Sequence, residues 1–441
     1  MLPDAFLARM KTMLGADFDA FLASYDRPRA VGLRRNPMKT AELPDFGLTP
    51  VPWEKNGFYY DPDCRPGLHP WHEAGAYYMQ EPSAMAPAML LDAQPGERVL
   101  DLCAAPGGKS TQLAAAMRGR GLLVCNELIL PRAKILSQNL ERMGVPNALV
   151  LNEYPARLAE RFPRFFDRVM VDAPCSGEGM FRKEDAAVRD WSPEQVLVCA
   201  NRQREILESA AAMLRPGGRL VYSTCTFAPE ENEGVISAFL HDHPDFSVAE
   251  VAAPWFSPGR PDLIENPAAG LERTFRLLPH LLRGEGHFAA VLQYNGAGDS
   301  GDCGEEPEAA APAELRRFLR ELSAELPDGV LLDFGGRYSL APAGTPSLRG
   351  LKVLRAGICL GELKKGRFEP DHALSHCLNA PAADFPAQSA EIAAYLRGET
   401  IASDAEGWTL VSADGLPLGW AKGSGGVLKN HYPKGLRRRN G

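Results

Sequence analysis

No stretch of the 441-residue chain approaches the ~18 consecutive apolar residues of a membrane span, and the densest run, Ala210 to Leu214, is cut short by Arg215-Pro216-Gly217. Met1 to Lys11 place Asp4 ahead of Arg9 with neither a basic start nor a long apolar centre, so no secretory signal is expected and the chain is read as cytoplasmic, with no membrane partner. The nine cysteines (Cys64, Cys103, Cys125, Cys175, Cys199, Cys225, Cys303, Cys359, Cys377) have no paired spacing, which speaks against a disulfide framework and against a C-x-x-C zinc site. A basic excess is also missing. Forty-eight Lys and Arg against 56 Asp and Glu leave a formal charge of −8, so nucleic acid would have to be held by local patches rather than by bulk charge. What remains is a globular composition, 45 % hydrophobic and 24 % charged, in a chain too long for one hydrophobic core.

From Arg98 to Tyr294 short β-rich runs alternate with longer helical ones, the pattern of an α/β sheet with crossover helices. Strands are expected at Arg98–Leu102, Leu122–Asn126, Ala148–Leu151, Arg168–Asp172, Arg219–Thr224, Phe246–Val251 and His287–Tyr294, forming an open, doubly wound, seven-stranded Rossmann-like sheet. Helices are expected at Ser110–Met117, Arg132–Met143 and Pro193–Leu214, the last ended by Pro216-Gly217-Gly218. Residues 1–90 read as an N-terminal lobe and 91–295 as the α/β core. Residues 296–313, rich in Gly, Pro, Ala and acids, read as a flexible linker. A further domain is expected over 314–382 and a last module over 383–441, closing on the basic cluster Lys429, Lys434, Arg437, Arg438, Arg439.

Five strand ends carry the chemistry. The first runs Asp101-Leu102-Cys103-Ala104-Ala105-Pro106-Gly107-Gly108-Lys109-Ser110, a small-residue turn opening a helix with a capping Ser or Thr, where backbone can approach a ligand closely. A phosphate loop would need Gly at Cys103, and the G-x-G-x-x-G dinucleotide pattern is absent. Glu127 ends the second strand, where a carboxylate accepts from both ribose hydroxyls of an adenosine-bearing cofactor. Asn152, with Glu153 as its rival, ends the third at the position for adenine. Asp172-Ala173-Pro174-Cys175 leaves the fourth strand and Ser223-Thr224-Cys225 the fifth, so two thiols and an acid converge beside the cofactor turn. A lone cysteine is usually a small buried hydrophobe, but two at neighbouring strand ends suggest a nucleophile. Thiolate attack on carbon-6 of cytosine makes carbon-5 able to accept a methyl group, and Asp172, if protonated or sharing a proton, would hydrogen-bond ring nitrogen-3 and the exocyclic amine. The residues alone leave Cys175 and Cys225 as rival nucleophiles.

These motifs resemble the RNA 5-methylcytosine methyltransferases of the RsmB/RsmF/NSUN superfamily, most closely the RsmF type acting on 16S ribosomal RNA. The resemblance spans Asn56-Gly57-Phe58-Tyr59-Tyr60 through Gln80-Glu81-Pro82-Ser83, Asp172 to Lys183, and Gly419 to Ser424 with Lys429 to Pro433. It implies a class I S-adenosylmethionine-dependent methyltransferase core with an N-terminal lobe and a C-terminal α+β PUA-like RNA-binding module. The cofactor would lie over Cys103, Ala104, Ala105, Pro106, Gly107, Gly108 and Lys109, with Glu127, Asn152 and Asp172. Cys225 would be the nucleophile and Cys175 the thiol that resolves the adduct. Lys109 and Asp172, with Arg132 behind them, are the expected partners of the methionine end. The implied substrate is 16S rRNA or the small ribosomal subunit, handled by a monomer. Transfer RNA is the alternative substrate; ribose 2′-O methylation and a non-catalytic ribosome-assembly role fit the paired thiols less well.

Arg34, Arg35, Arg182, Lys183 and the C-terminal cluster are the expected phosphate contacts. His372 and His376 stand four apart beside Cys377, a spacing open to zinc, but no second cysteine pair accompanies them and packing is the expected role. No metal site is expected.

Overall fold

A computed structural model describes residues 2–40, 42–378, 380 and 382–438; Arg439 of the expected basic tail lies outside them. The core strands are β1 (Arg98–Asp101), β2 (Leu122–Asn126), β3 (Ala148–Leu151), β4 (Phe166–Asp172), β5 (Leu214–Thr224), β6 (Phe246–Val248), β7 (Ser257–Pro258), β8 (Phe275–Leu277), β9 (His287–Tyr294) and β10 (Val353–Ala356). They form one ten-stranded sheet in the order β7-β8-β9-β5-β4-β1-β2-β3-β10, with β6 also paired to β9. Strands β3, β2, β1, β4 and β5 are mutually parallel, while β9 runs antiparallel against β5. All seven expected strands sit in this sheet. Two short strands and β10, which comes from the segment after the core, extend it; β10 pairs antiparallel with β3. That pairing was illegible locally, because it joins residues about two hundred positions apart.

Each parallel strand is buried on both faces, which is why it reads as a continuous apolar run: Ala148, Leu149, Val150 and Leu151 are all 0 % exposed. Alternation sends Val99 to one face with Leu113 and Leu136, and Leu100 to the other with Leu158, Leu207 and Ile236. The covering helices are α1 (Gly108–Met117), α2 (Leu130–Arg142), α3 (Pro155–Arg161), α4 (Pro193–Met213) and α5 (Glu233–Asp242). α4 is capped by Ser192, whose hydroxyl accepts from the Gln195 amide at 3.2 Å. α1 departs from expectation: it starts two residues early, at Gly108, with Gly107 at φ +111° as its cap. The Ser110 hydroxyl makes no cap and donates instead to buried Asp101 at 2.7 Å.

Around the core, Gly32–Arg35, Thr49–Pro50, Gly57–Tyr59 and Tyr77–Met79 form a four-stranded sheet in the N-terminal lobe. The strands Ala382–Phe385, Ile401–Ala402, Gly407–Ala413, Leu416–Ser424 and Val427–Asn430 form a five-stranded sheet at the C-terminus. These two lobes share one apolar cluster, Leu33 and Tyr77 packing with Ile392, Tyr395 and Leu418. The acidic 296–313 segment, expected as a flexible linker, runs along the protein rather than standing away from it. Cys303 is buried, and backbone bonds join Gly301 to Arg164, Glu306 to Thr345 and Ala309 to Leu331.

Candidate active site

The carboxyl ends of β1, β2, β4 and β5 deliver the expected groups to one sheet edge. At the first turn, the Ala104 amide bonds to the Asn126 carbonyl at 2.9 Å, tying the turn to β2. Gly107 turns the chain at positive φ, and a Cβ there would meet Leu136 Cδ1 at 3.2 Å. Burial pushes Asp101 up to about 7, and pushes the Cys103 thiol far above its ordinary range, so Cys103 lines the turn without being reactive. Glu127 is buried; its Oε1 accepts from the Ile129 amide at 2.9 Å and its Oε2 lies 3.5 Å from Arg132. Arg132 also donates to the Ala105 carbonyl at 2.9 Å.

Asn152 and Glu153 part company here. The Asn152 amide donates to the Glu127 and Leu128 carbonyls at 2.8 Å each. Glu153 is buried, its carboxylate accepting from the Lys352 amide at 2.8 Å and lying 3.5 Å from Arg157.

At β4, Asp172 receives Lys109 Nζ at 2.7 Å and the Ser223 hydroxyl at 2.7 Å. Burial raises its pKa, but the Lys109 and His287 fields and these two bonds outweigh it and hold the carboxyl below the usual carboxylate range. The protonated Asp172 considered from sequence is therefore corrected: with an ammonium in contact, the ionised form is favoured. Lys109 answers in kind. Burial lowers it, but the Asp172 charge and hydrogen bond and the Cys225 field outweigh burial and leave an ammonium against the acid.

Cys175 and Cys225 meet with their sulfurs 3.3 Å apart, far beyond the ~2.05 Å of a disulfide, so they are two thiols in contact. The Cys225 amide also points at the Cys175 sulfur at 3.3 Å. Its contact with Cys225, and then burial, pushes Cys175 well above the ordinary thiol range, so Cys175 carries its proton. The loop geometry is held by groups to which the sequence assigned no individual role. The Glu231 carboxylate takes the Ser176 amide at 2.9 Å and Gln203 at 2.8 Å. The Gly179 amide bonds to the Cys225 carbonyl at 2.8 Å. Fully buried Glu178 accepts from Trp191 at 2.9 Å and from the Phe227 amide at 3.0 Å, and pairs with Arg9 of the N-terminal lobe.

Two of the expected phosphate contacts are corrected. Arg34 is 0 % exposed, bonded to Gln80, the Gly108 carbonyl and Thr111 beneath α1. Arg182 is spent on Glu285 at 3.4 Å and on the Arg27 carbonyl at 2.8 Å. Arg35 donates to Asn56 at 2.8 Å. Lys183, Arg27, Arg29, Lys429 and Lys434 remain exposed. His372 and His376 meet Nε2 to Nε2 at 3.3 Å, and His372 packs edge-on against Tyr432; among the described residues no three His, Cys, Asp or Glu are grouped to hold a metal. A groove of 1920 Å³ between Arg35, Lys55, Arg120 and Pro417 opens at the opposite edge of the sheet and takes no part in this site.

The core matches the family of 16S rRNA methyltransferases RsmB/F over residues 88–293, and the flanks match the RsmF N-terminal domain over 2–82, the RsmF first C-terminal domain over 317–378 and the RsmF PUA domain over 382–438. The chain is 34 % identical to the ribosomal RNA small subunit methyltransferase F of Klebsiella pneumoniae, covering 99 % of this chain and 96 % of that one. The chain belongs to the RsmF family. The Escherichia coli protein of the same name is also 34 % identical over 99 % of this chain and 96 % of its own length. Among solved structures, a methyltransferase homologue from Pyrococcus horikoshii superimposes with a TM-score of 0.58 at 28 % identity, over 66 % of this chain and 95 % of its own. The Pyrococcus horikoshii NSun6 fold matches with a TM-score of 0.58 at 19 % identity, over 67 % of this chain and 99 % of that one. The RsmF family assignment accounts for the flanking lobes as well as the core. In the described residues no helix is long and apolar enough to cross a membrane.

Proposed function

We propose that this protein transfers a methyl group from S-adenosylmethionine to carbon-5 of a cytosine in 16S rRNA, through a covalent bond between Cys225 and carbon-6, acting as a cytoplasmic monomer. The observation that carries the reading is the 3.3 Å contact of Cys175 and Cys225 beside the Lys109–Asp172 pair. The donor set suits the cofactor: a buried carboxylate in Glu127 for the ribose, Asn152 at the adenine end, an open helix start at Gly108, and Lys109 with Asp172 for the charged methionine end. Cys103 to Pro106 would form the floor of that cradle. Bound there, S-adenosylmethionine supplies an electrophilic methyl group.

The protein's own groups then divide the work. Cys225 gives up its thiol proton to solvent and attacks carbon-6 beside the Lys109–Asp172 pair. Ionised Asp172 accepts from the exocyclic amine, and Lys109 offsets the negative charge that spreads into the ring during attack. As the adduct breaks, Cys175, still bearing its proton, gives it to the departing Cys225 sulfur and takes up the proton that carbon-5 loses, so the ring regains its double bond and both thiols are restored. The target base must leave its stack to reach this edge. Exposed Arg27, Arg29 and Lys183 flank the cysteine loops, and Lys429 and Lys434 lie on the last lobe, so RNA is gripped in patches despite the net negative charge. Bisulfite sequencing of ribosomal and transfer RNA, from cells with and without the active protein, tests the reading. Loss of a 16S cytosine mark on inactivation is the expected result; loss confined to transfer RNA would contradict the substrate.

A further inference from the structure

The Gln80-Glu81-Pro82-Ser83 motif has no part in the chemistry above, yet it ends against the site. His287 opens β9, and the last registered pair between β9 and β5 is Phe288 with Thr224. One step further on the same register sets His287 across from Cys225, on the sheet face shared by Ser223 and Asp172. His287 is 6 % exposed, and its Nδ1 lies 3.0 Å from the Ser83 hydroxyl. That hydroxyl donates to the Glu81 carboxylate. The same carboxylate takes the Ser83 amide at 3.0 Å, the Ala84 amide at 2.9 Å and the Glu285 amide at 3.0 Å.

These bonds decide a tautomer. A carboxylate only accepts, so the Ser83 proton points at Glu81 and the Ser83 oxygen is left to accept, from the Gly286 amide at 3.3 Å and from His287 Nδ1–H. Burial and the neighbouring Lys109 charge push His287 down to about 4, so at neutral pH the ring carries a single proton, and that proton is on Nδ1. Nε2 is thus a bare lone pair. No other side chain among the described residues bonds to it.

Ionised Asp172 does not by itself separate cytosine from uracil: it can accept from the amine of cytosine, and equally from the N3–H of uracil. We propose that His287 Nε2 accepts a hydrogen bond from the 4-amino group of the target cytosine, and that Glu81 and Ser83 are positioning residues that keep it an acceptor, so that uracil is refused. Uracil would bring the lone pairs of its O4 against that of Nε2 and leave both unpaired. The inference rests on the cytosine-C5 reading of the site.

The test is covalent trapping. A 16S rRNA transcript carrying 5-fluorocytidine is incubated with S-adenosylmethionine; fluorine cannot leave as a cation, so the methylated adduct persists on a denaturing gel. After the modified position is mapped by mass spectrometry, a ligated transcript with 5-fluorouridine at that position gives the matching rate for uracil. The unaltered protein should strongly prefer the cytosine analogue. His287→Asn, whose amide can present either oxygen or nitrogen, should lower the cytosine-to-uracil ratio by on the order of 10- to 100-fold. Ser83→Ala, which leaves the ring but frees its tautomer, should lower the ratio in the same direction and by less. A purely structural role would slow both analogues equally, and an unchanged ratio in both variants overturns the inference alone. No adduct on the cytosine analogue with the unaltered protein overturns the underlying reading as well.

Discussion

Replacing Arg34 by Met separates a structural arginine from an RNA contact. Arg34 Nε donates to Gln80 Oε1 at 3.0 Å, and Nη2 donates to the Gly108 carbonyl at 3.0 Å and the Thr111 hydroxyl at 2.6 Å. Three bonds from a charged donor are together worth about 5 kcal/mol at the low end of their range. Against that stands the cost of burying the guanidinium, visible in a pKa pushed down to about 10, which corresponds to about 3 kcal/mol. Methionine keeps the volume, and the Gly108 carbonyl retains the Thr111 hydroxyl at 3.0 Å, so only the Gln80 oxygen is left bare. The net expectation is a loss of about 2 kcal/mol, read as a lowered urea midpoint. RNA affinity measured against salt should keep its slope, because no phosphate contact is removed. Unchanged urea stability with a slope shallower by about 0.7 would instead make Arg34 a phosphate ligand and refute the reasoning.

Asp101 has a folded pKa of about 7, well above the ordinary carboxyl value, so it stabilises the fold below that ordinary value and loses its contribution as pH rises toward about 7. Asp101→Asn should therefore gain stability relative to the unaltered protein at pH 8 and show no gain at pH 4; a gain independent of pH would contradict this. Gly107→Ala forces a side chain into φ +111° and against Leu136, and should weaken S-adenosylmethionine binding at least about tenfold by calorimetry. Asn152→Ala should weaken cofactor binding more than Glu153→Gln does, since only Asn152 braces the Glu127–Leu128 turn through its side chain; the opposite ranking would return the adenine to Glu153.

Much of the core was legible because its signals are local. Parallel strands buried on both faces give short apolar runs, and turns that approach a ligand leave small residues such as Ala104, Ala105, Gly107 and Gly108 at strand ends. The meeting of Asp172, Cys175 and Cys225 followed from the topology alone, since parallel strands present their carboxyl ends together. What escaped the sequence depends on long-range partners. β10 joins the sheet from beyond the core, and Arg34 reads as a surface arginine until Gln80 and Thr111 are folded over it. The ionised state of Asp172 is decided by Lys109, sixty-three positions away in the chain. His287 carries no spacing mark in His287-Phe288-Ala289-Ala290, and its chemistry comes from Glu81 and Ser83, roughly two hundred residues upstream.

The most direct check on the thiol assignment is a denaturing gel of the protein mixed with a 16S rRNA transcript and S-adenosylmethionine. With Cys225 as nucleophile and Cys175 as proton donor to the departing sulfur, Cys175→Ala should leave a slow-migrating protein–RNA band, while Cys225→Ala should give no band and no methyl transfer. A band that survives in Cys225→Ala and disappears in Cys175→Ala would exchange the two roles and contradict the account.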